Sequence, residues 1–482
     1  MSAIFNRKKE KKKLEEVLKS PSPEFIAVYG RRRVGKTHLI RNFFHDKGIY
    51  FEMTGAKRAP QMEQLVNFKN AFTSVFPNQR MAETPSNWTE ALFTLKEAVE
   101  TIPKTEKVIL FFDEAPWIET PKSGFLSALE HLWNRYLSEM KHVILILCGS
   151  SASWMIEKIV DNRGGLYGRL TKVIHLLPFK LGQTEHFLQA MGVTWDRQQI
   201  VDFYLAVGGI AKYLSFVNKS WSAAQATQNL IFDPQGMMHD EFDRLFASLF
   251  DQDERHIKVV KILAEKRKGL TQNEIVEKGG LSAGGNTSRV IKELEKSGFI
   301  SFIPPFRGGK KGGLYKLSDE FSLFYLHWVI SLKKRSLTEG QENYWLHRQN
   351  SKSWLSWAGF AFEAVCLKHL AQIKKALGIS GVITYQTGWR STNSPGAEID
   401  LVIEREDKCI NLCEIKYSHN EFQIDKAYAE KMRQKRQRFI QETGIRKAVF
   451  ITFITPYGIK ENAYSRELVN RSVTLDALFD DA

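Results

Sequence analysis

The sequence predicts an α/β protein: a parallel sheet wound around a phosphate-binding loop, then helical segments, then a second α/β unit at the C-terminus. Three observations carry that expectation. Apolar runs alternate with helical patterns between residues 25 and 177, as in a parallel sheet covered on both faces. A Gly-rich turn, GRRRVGKT, follows the first run and opens a helix. Beyond residue 356 a long helix is followed by a fresh set of strand patterns.

The first sheet is expected from FIAVY (25–29), GIYFEM (48–53), VILFF (108–112), HVILILC (142–148) and KVIHLL (172–177). From about 181 to 250 the strand signal fades, and HFLQAM, IVDFYLAVGG and FDRLFASLF predict a small helical subdomain. HIKVVKILAEK, QNEIVEKGG behind Thr271 as N-cap, NTSRVIKELEKSGFI and a hairpin around IPPFRGGKKGGLYKL follow, which is the winged-helix order. Residues 321–350 read as a helical connection with Phe321, Phe324, Tyr325 and Trp328 free to pack on either neighbour. The last unit begins with WAGFAFEAVCLKHLAQIKKAL. Strands are expected at 382–387, 397–404, 408–416 and 447–453, with a charged helix over 424–440.

Composition narrows the class of molecule. The chain has 482 residues, 43% hydrophobic and 26% charged, which is ordinary for globular proteins and excludes disorder as the main state. Four cysteines cannot supply a disulfide framework and point to a reducing compartment. No run approaches the ~18 apolar residues of a membrane span, and the N-terminus is charged where a secretion signal is apolar. The expectation is a soluble cytoplasmic protein. Lys and Arg total 69 against 54 Asp and Glu, a net charge of +15 that favours an anionic partner, nucleic acid first.

GRRRVGKT at 30–37 matches G-x-x-x-x-G-K-[ST] between a strand and a helix. Gly30, Arg31, Arg32, Arg33, Val34, Gly35, Lys36, Thr37 and His38 are the expected ATP cradle: backbone N–H groups and the helix N-terminus face phosphate oxygens. Lys36 should reach the β- and γ-phosphates, and the Thr37 hydroxyl should bind Mg²⁺. Asp113, at the carboxyl end of VILFFD, should hold Mg²⁺ directly or through water, and Glu114 is placed to polarise the water that attacks the γ-phosphate. Ser150 and Ser151 end the next strand, as a γ-phosphate sensor or as a helix N-cap. Arg163 and Arg169 precede the fifth strand; either can neutralise transition-state charge, in cis or from a neighbouring subunit.

A second site is expected in GAEIDLVIEREDKCINLCEIKYS. In a strand, residues two apart share a face, so Glu414 and Lys416 project together, and a hairpin would set Asp400 beside Glu414. Two adjacent carboxylates suit Mg²⁺, with Lys416 orienting or deprotonating a water for attack on a phosphodiester. Glu363, on the preceding helix, is a further candidate ligand. An amphipathic hairpin with a cross-strand ion pair is the plainer reading of the same residues. Cys409 and Cys413 lack nearby soft partners and read as packing. Asn286, Ser288, Arg289 and Lys292 on one helix, with Arg307, Lys310 and Lys311 at the wing tip, suit DNA contact or a protein partner. The N-terminal RKKEKKK run reads as a solvated helix face.

Together, FNRKKEKKKLEEVL, YGRRRVGKTHLI, LFFDEAPW, LCGSSASWM, LYGRLT, AVGGIAKYL, GFAFEAV and AEIDLVI…CEIKYS make nearly the whole chain resemble the archaeal-type P-loop ATPases, a branch of the AAA+-like signal-transducing NTPases. Prokaryotic members of that family carry a winged helix and a C-terminal restriction-endonuclease-like, PD-(D/E)xK domain. The resemblance implies a P-loop ATPase domain over 1–180, a helical lid over 181–252, a winged helix over 253–320, a helical connector over 321–355 and a restriction-endonuclease-like domain over 356–482. It implies Lys36, Thr37, Asp113 and Glu114 at the nucleotide, Arg169 as the charge-neutralising arginine, and Asp400, Glu414 and Lys416 at the second site. Proline usually follows Gly-Gly-Ile in the lid motif; Ala211 stands there in this chain. The expected function is ATP hydrolysis coupled to DNA, nucleotide state controlling a Mg²⁺-dependent nuclease-like domain, with homo-oligomers among the expected assemblies. The alternative is a nucleotide-switched DNA- or protein-binding regulator whose C-terminal domain is inactive.

Overall fold

The computed structural model describes residues 4–79, 81–161, 164–250, 253–266, 268–282, 284–308, 312–333, 343–391, 393 and 396–480. It divides into two units, Met1–Pro178 and Phe179–Ala482.

In the first unit the five expected apolar runs form β1 (Glu24–Tyr29), β2 (Ile49–Thr54), β3 (Val108–Asp113), β4 (Val143–Gly149) and β5 (Lys172–His175). They pair in parallel in the order β2-β3-β4-β1-β5. Every residue of β3 and β4 is buried, which explains why these runs are continuously apolar instead of alternating. The helices Gln61–Val75, Trp88–Glu100 and Phe125–Arg135 cover the sheet with Phe68, Phe72, Trp88, Leu95 and Leu129. Asn87 starts the second of these by accepting the Glu90 N–H at 3.0 Å. Because β1 lies between β4 and β5, the turn leaving it opens among the carboxyl ends of the sheet, the usual ligand position in open α/β folds.

The helical segment expected to close over the nucleotide belongs to the second unit, and its glycines show why. A Cβ on Gly209 would lie 1.8 Å from the Phe179 carbonyl oxygen, and one on Gly208 would lie 2.8 Å from a Glu320 carboxylate oxygen. Gly182 approaches the Phe479 carbonyl equally closely. The Leu181 N–H donates to His369 Nε2 at 3.0 Å, while His369 Nδ1 meets the Val365 carbonyl at 2.7 Å. Burial pushes the His369 pKa down to about 4, which keeps the ring neutral in this role. The AVGG motif packs closely on Phe179 and Glu320 of this unit, and the predicted helix beginning at Trp357 breaks at His369 into Lys352–Lys368 and Leu370–Ala376.

Three helices, Asp253–Glu265, Gln272–Lys278 and Gly285–Lys296, lead to the antiparallel pair β6 (Ile300–Ile303) and β7 (Leu314–Leu317), with Leu270 bridged to Tyr315 as a short third strand. Thr271 caps the second helix as its sequence predicts. An aromatic cluster follows, in which Phe324, Trp328, Trp345, Trp354 and Trp357 pack together; the Trp354 and Trp357 rings stack 5.2 Å apart. The closing sheet contains β8 (Thr384–Arg390), β9 (Glu398–Arg405), β10 (Cys409–Ile415), β11 (Ala448–Ile454) and β12 (Arg471–Val473), ordered β12-β11-β10-β9-β8. β8, β9 and β10 pair antiparallel; β10, β11 and β12 pair in parallel. No sequence signal marked the three-residue β12.

Candidate functional site

The loop at 30–37 wraps as its glycines require. A Cβ on Gly30 would meet the Leu176 carbonyl oxygen at 2.2 Å, and Gly35 has φ 97°, a left-handed conformation that glycine adopts freely. Arg31 and Val34 are buried, Arg32 and Arg33 half-buried, and His38 is exposed on the first turn of the helix Lys36–Phe44. The buried Lys36 ammonium donates to the Gly30 and Arg31 carbonyls at 3.1 and 3.2 Å. It is thus folded back onto its own loop. The Thr37 hydroxyl donates to Asp113 Oδ2 at 2.6 Å, which joins the two expected metal ligands directly.

Glu114 departs from the ordinary chain. Its φ is 50°, left-handed for a non-glycine residue, which costs about 1–3 kcal/mol. Its N–H donates to Asp113 Oδ1 at 3.0 Å, and its Oε2 accepts from the Ser150 N–H at 3.0 Å and the Ser150 hydroxyl at 2.8 Å. Ser150 is therefore the anchor of Glu114, a role outside the two readings its sequence allowed. Ser151 precedes the helix Ala152–Met155 without a side-chain capping bond. Arg169 is exposed in the turn before β5, its N–H bonded to the Leu166 carbonyl; Arg163 lies outside the described residues.

Sequence reasoning missed Arg7. Instead of sharing the solvated face of its basic run, Arg7 is 5% exposed and donates to the Val34 carbonyl at 3.0 Å and the Leu177 carbonyl at 2.8 Å. It ties the phosphate loop to the segment after β5. Burial pushes its pKa down to about 10, partly offset by Glu10, so it remains charged at neutral pH.

In the second unit, antiparallel pairing of β9 and β10 sets Cys413 against Leu401, which brings Asp400 beside the end of β10, where its Oδ2 accepts the Ile415 N–H at 3.0 Å. Burial and the neighbouring Glu414 push the Asp400 pKa up to about 6. Glu414 is 2% exposed; burial alone would raise its pKa, but Lys416 at 2.9 Å and Lys435 at 2.7 Å hold it below the usual range. Tyr428 also donates to Glu414 at 2.7 Å. Glu363 reaches the same neighbourhood from the helix Lys352–Lys368; burial, then Asp400, push its pKa up to about 8. Lys316 faces it at 3.9 Å. Among the described residues no three His, Cys, Asp or Glu side chains form a group that could hold a metal ion, and the Glu414 oxygens are taken by Lys416 and Lys435. Lys435 and Tyr428 were not singled out: both sit on the helix Lys426–Thr443, whose basic composition was the only signal. Cys409 and Cys413 lie on β10, Cys413 fully buried, and both are free thiols.

The expected nucleic-acid residues are more occupied than their sequence suggests. Arg289 pairs with Glu293 at 2.8 Å, and the Ser288 hydroxyl accepts from Gln272. Arg307 is bound to Glu404 at 2.7 Å instead of projecting from a free tip; Lys310 and Lys311 lie outside the described residues. Among those described, no helix is long and apolar enough to cross a membrane.

Comparisons with known proteins agree with this geometry. Residues 4–217 match a family described as an ATPase domain predominantly from Archaea, and residues 326–432 match one described as archaeal and bacterial proteins of unknown function. An uncharacterized protein of Methanocaldococcus jannaschii, MJECL04, is 26% identical over 419 residues, covering 86% of this chain and 87% of its own. An uncharacterized ATP-binding protein of the same organism, MJ0423, is 48% identical over 46 residues, 10% of this chain and 78% of that protein. Among solved structures, the Walker-type ATPase PABY2304 of Pyrococcus abyssi shares the fold at a TM-score of 0.50 and 18% identity, covering 67% of this chain and 96% of its own. The phosphate loop, the carboxylates at the end of β3 and the order of the parallel sheet therefore identify the chain as carrying a P-loop ATPase domain similar to that archaeal family.

Proposed function

We propose that this protein is an ATP-hydrolysing, DNA-directed enzyme in which nucleotide state controls a nuclease-like C-terminal domain of restriction-endonuclease type. The observation that carries the second half is the meeting of Asp400 and Glu414 on neighbouring strands, with Lys416 beside Glu414. The three-helix and hairpin module serves as a winged helix that holds nucleic acid, and the net charge of +15 supports that partner.

In the ATP site, Gly30 to His38 hold the triphosphate, Lys36 exchanging its loop carbonyls for phosphate oxygens. Thr37 and Asp113, already joined by a hydrogen bond, fit Mg²⁺. Glu114, fixed by Ser150, accepts a proton from the attacking water, and Arg169 neutralises charge on the leaving phosphates. In the second site the hard oxygens of Asp400 and Glu414, with Glu363 behind them, fit the same ion once a lysine yields its place. Bound there, the ion supplies charge neutralisation at a phosphodiester. Lys416 orients the nucleophilic water.

The test is incubation of the full chain with Mn²⁺ and nucleic acid, with and without ATP, beside Asp400→Ala. Strand scission by the wild type that Asp400→Ala lacks is the expected result; intact substrate under every condition overturns the nuclease reading. A second reading rests on the two lysines that neutralise Glu414: the C-terminal domain then binds without cutting, and Asp400→Ala with Lys416→Ala leaves cellular function intact.

A further inference from the structure

The residue after Lys416 is tied to two remote helices. At the end of β10, Glu414 and Lys416 meet at 2.9 Å, and the Lys416 N–H donates to the Ile454 carbonyl at 3.0 Å. Tyr417 then leaves the sheet. Its ring lies 5.4 Å from that of Phe362, which precedes Glu363 on the helix Lys352–Lys368. Its hydroxyl donates to Asp202 Oδ1 and accepts from the Gln198 amide, both on the helix Arg197–Val207. Gln198 also donates to Asp202 at 3.2 Å, which closes a ring of three side chains.

That helix is itself fixed. Arg197, its first residue, binds Glu185 at 3.0 Å and Asp476 at 2.8 Å, and the Tyr204 hydroxyl donates to the Phe179 carbonyl at 2.9 Å. Asp202 is therefore a post, and Tyr417 the part that it restrains. Lys416 has more freedom. Its side chain is 33% exposed and carries its charge on a flexible stem, so the ammonium goes where the backbone aims it.

We infer that Asp202 is a positioning residue for Lys416, holding through Tyr417 the stretch of backbone from which the ammonium reaches Glu414. The inference rests on the reading of Asp400, Glu414 and Lys416 as a phosphodiester site, and adds to it a support 215 positions upstream. Such a support matters because a small displacement of a group that orients water costs a large factor in rate.

Three variants of the full chain separate position from folding. Tyr417→Phe keeps the ring on Phe362 and deletes the hydroxyl, Asp202→Ala deletes the acceptor, and Asp202→Asn keeps an acceptor oxygen of the same reach. Amide exchange of residues 414–417, read by mass spectrometry, should quicken about threefold or more in Tyr417→Phe and Asp202→Ala, with Asp202→Asn like the wild type. Steady-state cleavage of labelled oligonucleotides, single-stranded and duplex, in Mn²⁺ should show kcat about tenfold lower in the first two variants at unchanged KM, and Asp202→Asn should restore it. Tyr417→Phe decides the matter if Asp202→Ala loses its fold. Unchanged exchange at 414–417, or equal quickening across β9 and β11, would overturn the inference. Cleavage separates it from the reading beneath. Local quickening in a protein whose wild type cuts nothing rejects the nuclease and keeps Asp202 as the residue that places Lys416. Full kcat in Tyr417→Phe despite local quickening keeps the nuclease and rejects the positioning role.

Discussion

Replacing Arg7 by Met tests whether the phosphate loop is held from behind. The substitution keeps most of the aliphatic volume and deletes the guanidinium that donates to the Val34 and Leu177 carbonyls at 3.0 and 2.8 Å. A buried acceptor stripped of its partner costs about 1–3 kcal/mol, which applies to Val34, while losing an ordinary bond at the exposed Leu177 costs about 0.5–1.5 kcal/mol. The penalty of burying the charge, visible in a pKa pushed down to about 10, is relieved at the same time and offsets part of that. A net loss of about 1–3 kcal/mol should lower the melting temperature of a unit this size by roughly 3–10 °C. Because Val34 sits within the loop, ATP should also bind about tenfold more weakly, equivalent to ~1.4 kcal/mol. Thermal unfolding and titration with a fluorescent ATP analogue measure both. A variant that melts within a degree or two of the wild type and binds ATP equally well would refute the strut.

Lys36→Ala should abolish ATP binding, whereas Glu114→Gln should retain it and slow hydrolysis about a hundredfold or more; turnover at the wild-type rate by Glu114→Gln would remove its role as base. Ser150→Ala, which deletes one of two bonds to Glu114, should lower kcat with little change in KM for ATP, as steady-state kinetics would show. Asp202, on the helix Arg197–Val207, accepts from the Tyr417 hydroxyl and the Gln198 amide, and burial pushes its pKa up to about 6, against about 3.9 in an unfolded chain. The native state therefore holds the extra proton between pH 4 and 6, and stability falls as pH rises through that window and then levels. Asp202→Asn should make the melting temperature less dependent on pH there, with its largest gain above pH 6. Gly209→Ala should destabilise the second unit by several kcal/mol, because the new methyl has only a carbonyl oxygen to displace; soluble protein melting like the wild type would contradict that packing.

The first sheet was legible almost to the residue, since strands buried on both faces leave continuous apolar runs and the loop motif fixes the position of one of them. The neighbourhood of Asp400, Glu414 and Lys416 was legible through period-two spacing in Glu414-Ile415-Lys416 and the expected hairpin, which the antiparallel pairing of β9 with β10 matches. Other roles depend on partners remote in sequence. Lys435 reaches Glu414 across 21 positions, and Arg307 reaches Glu404 across 97. Arg7 was obscured by the lysines around it, because composition does not tell which member of a charged run turns inward. The helical character of 181–252 was legible, whereas the close packing of Gly208 on Glu320 and Gly209 on Phe179 depends on residues remote in sequence.

The indole cluster of Trp328, Trp345, Trp354 and Trp357 has a spectroscopic consequence. Chromophores stacked within about 5 Å exchange excitation, so the near-ultraviolet dichroism should carry a split band that arises in the C-terminal half. In the first unit Trp88 packs on Phe125 and Trp133 on Phe25. Loss of the couplet on heating would report the melting of one half, and far-ultraviolet ellipticity would follow both.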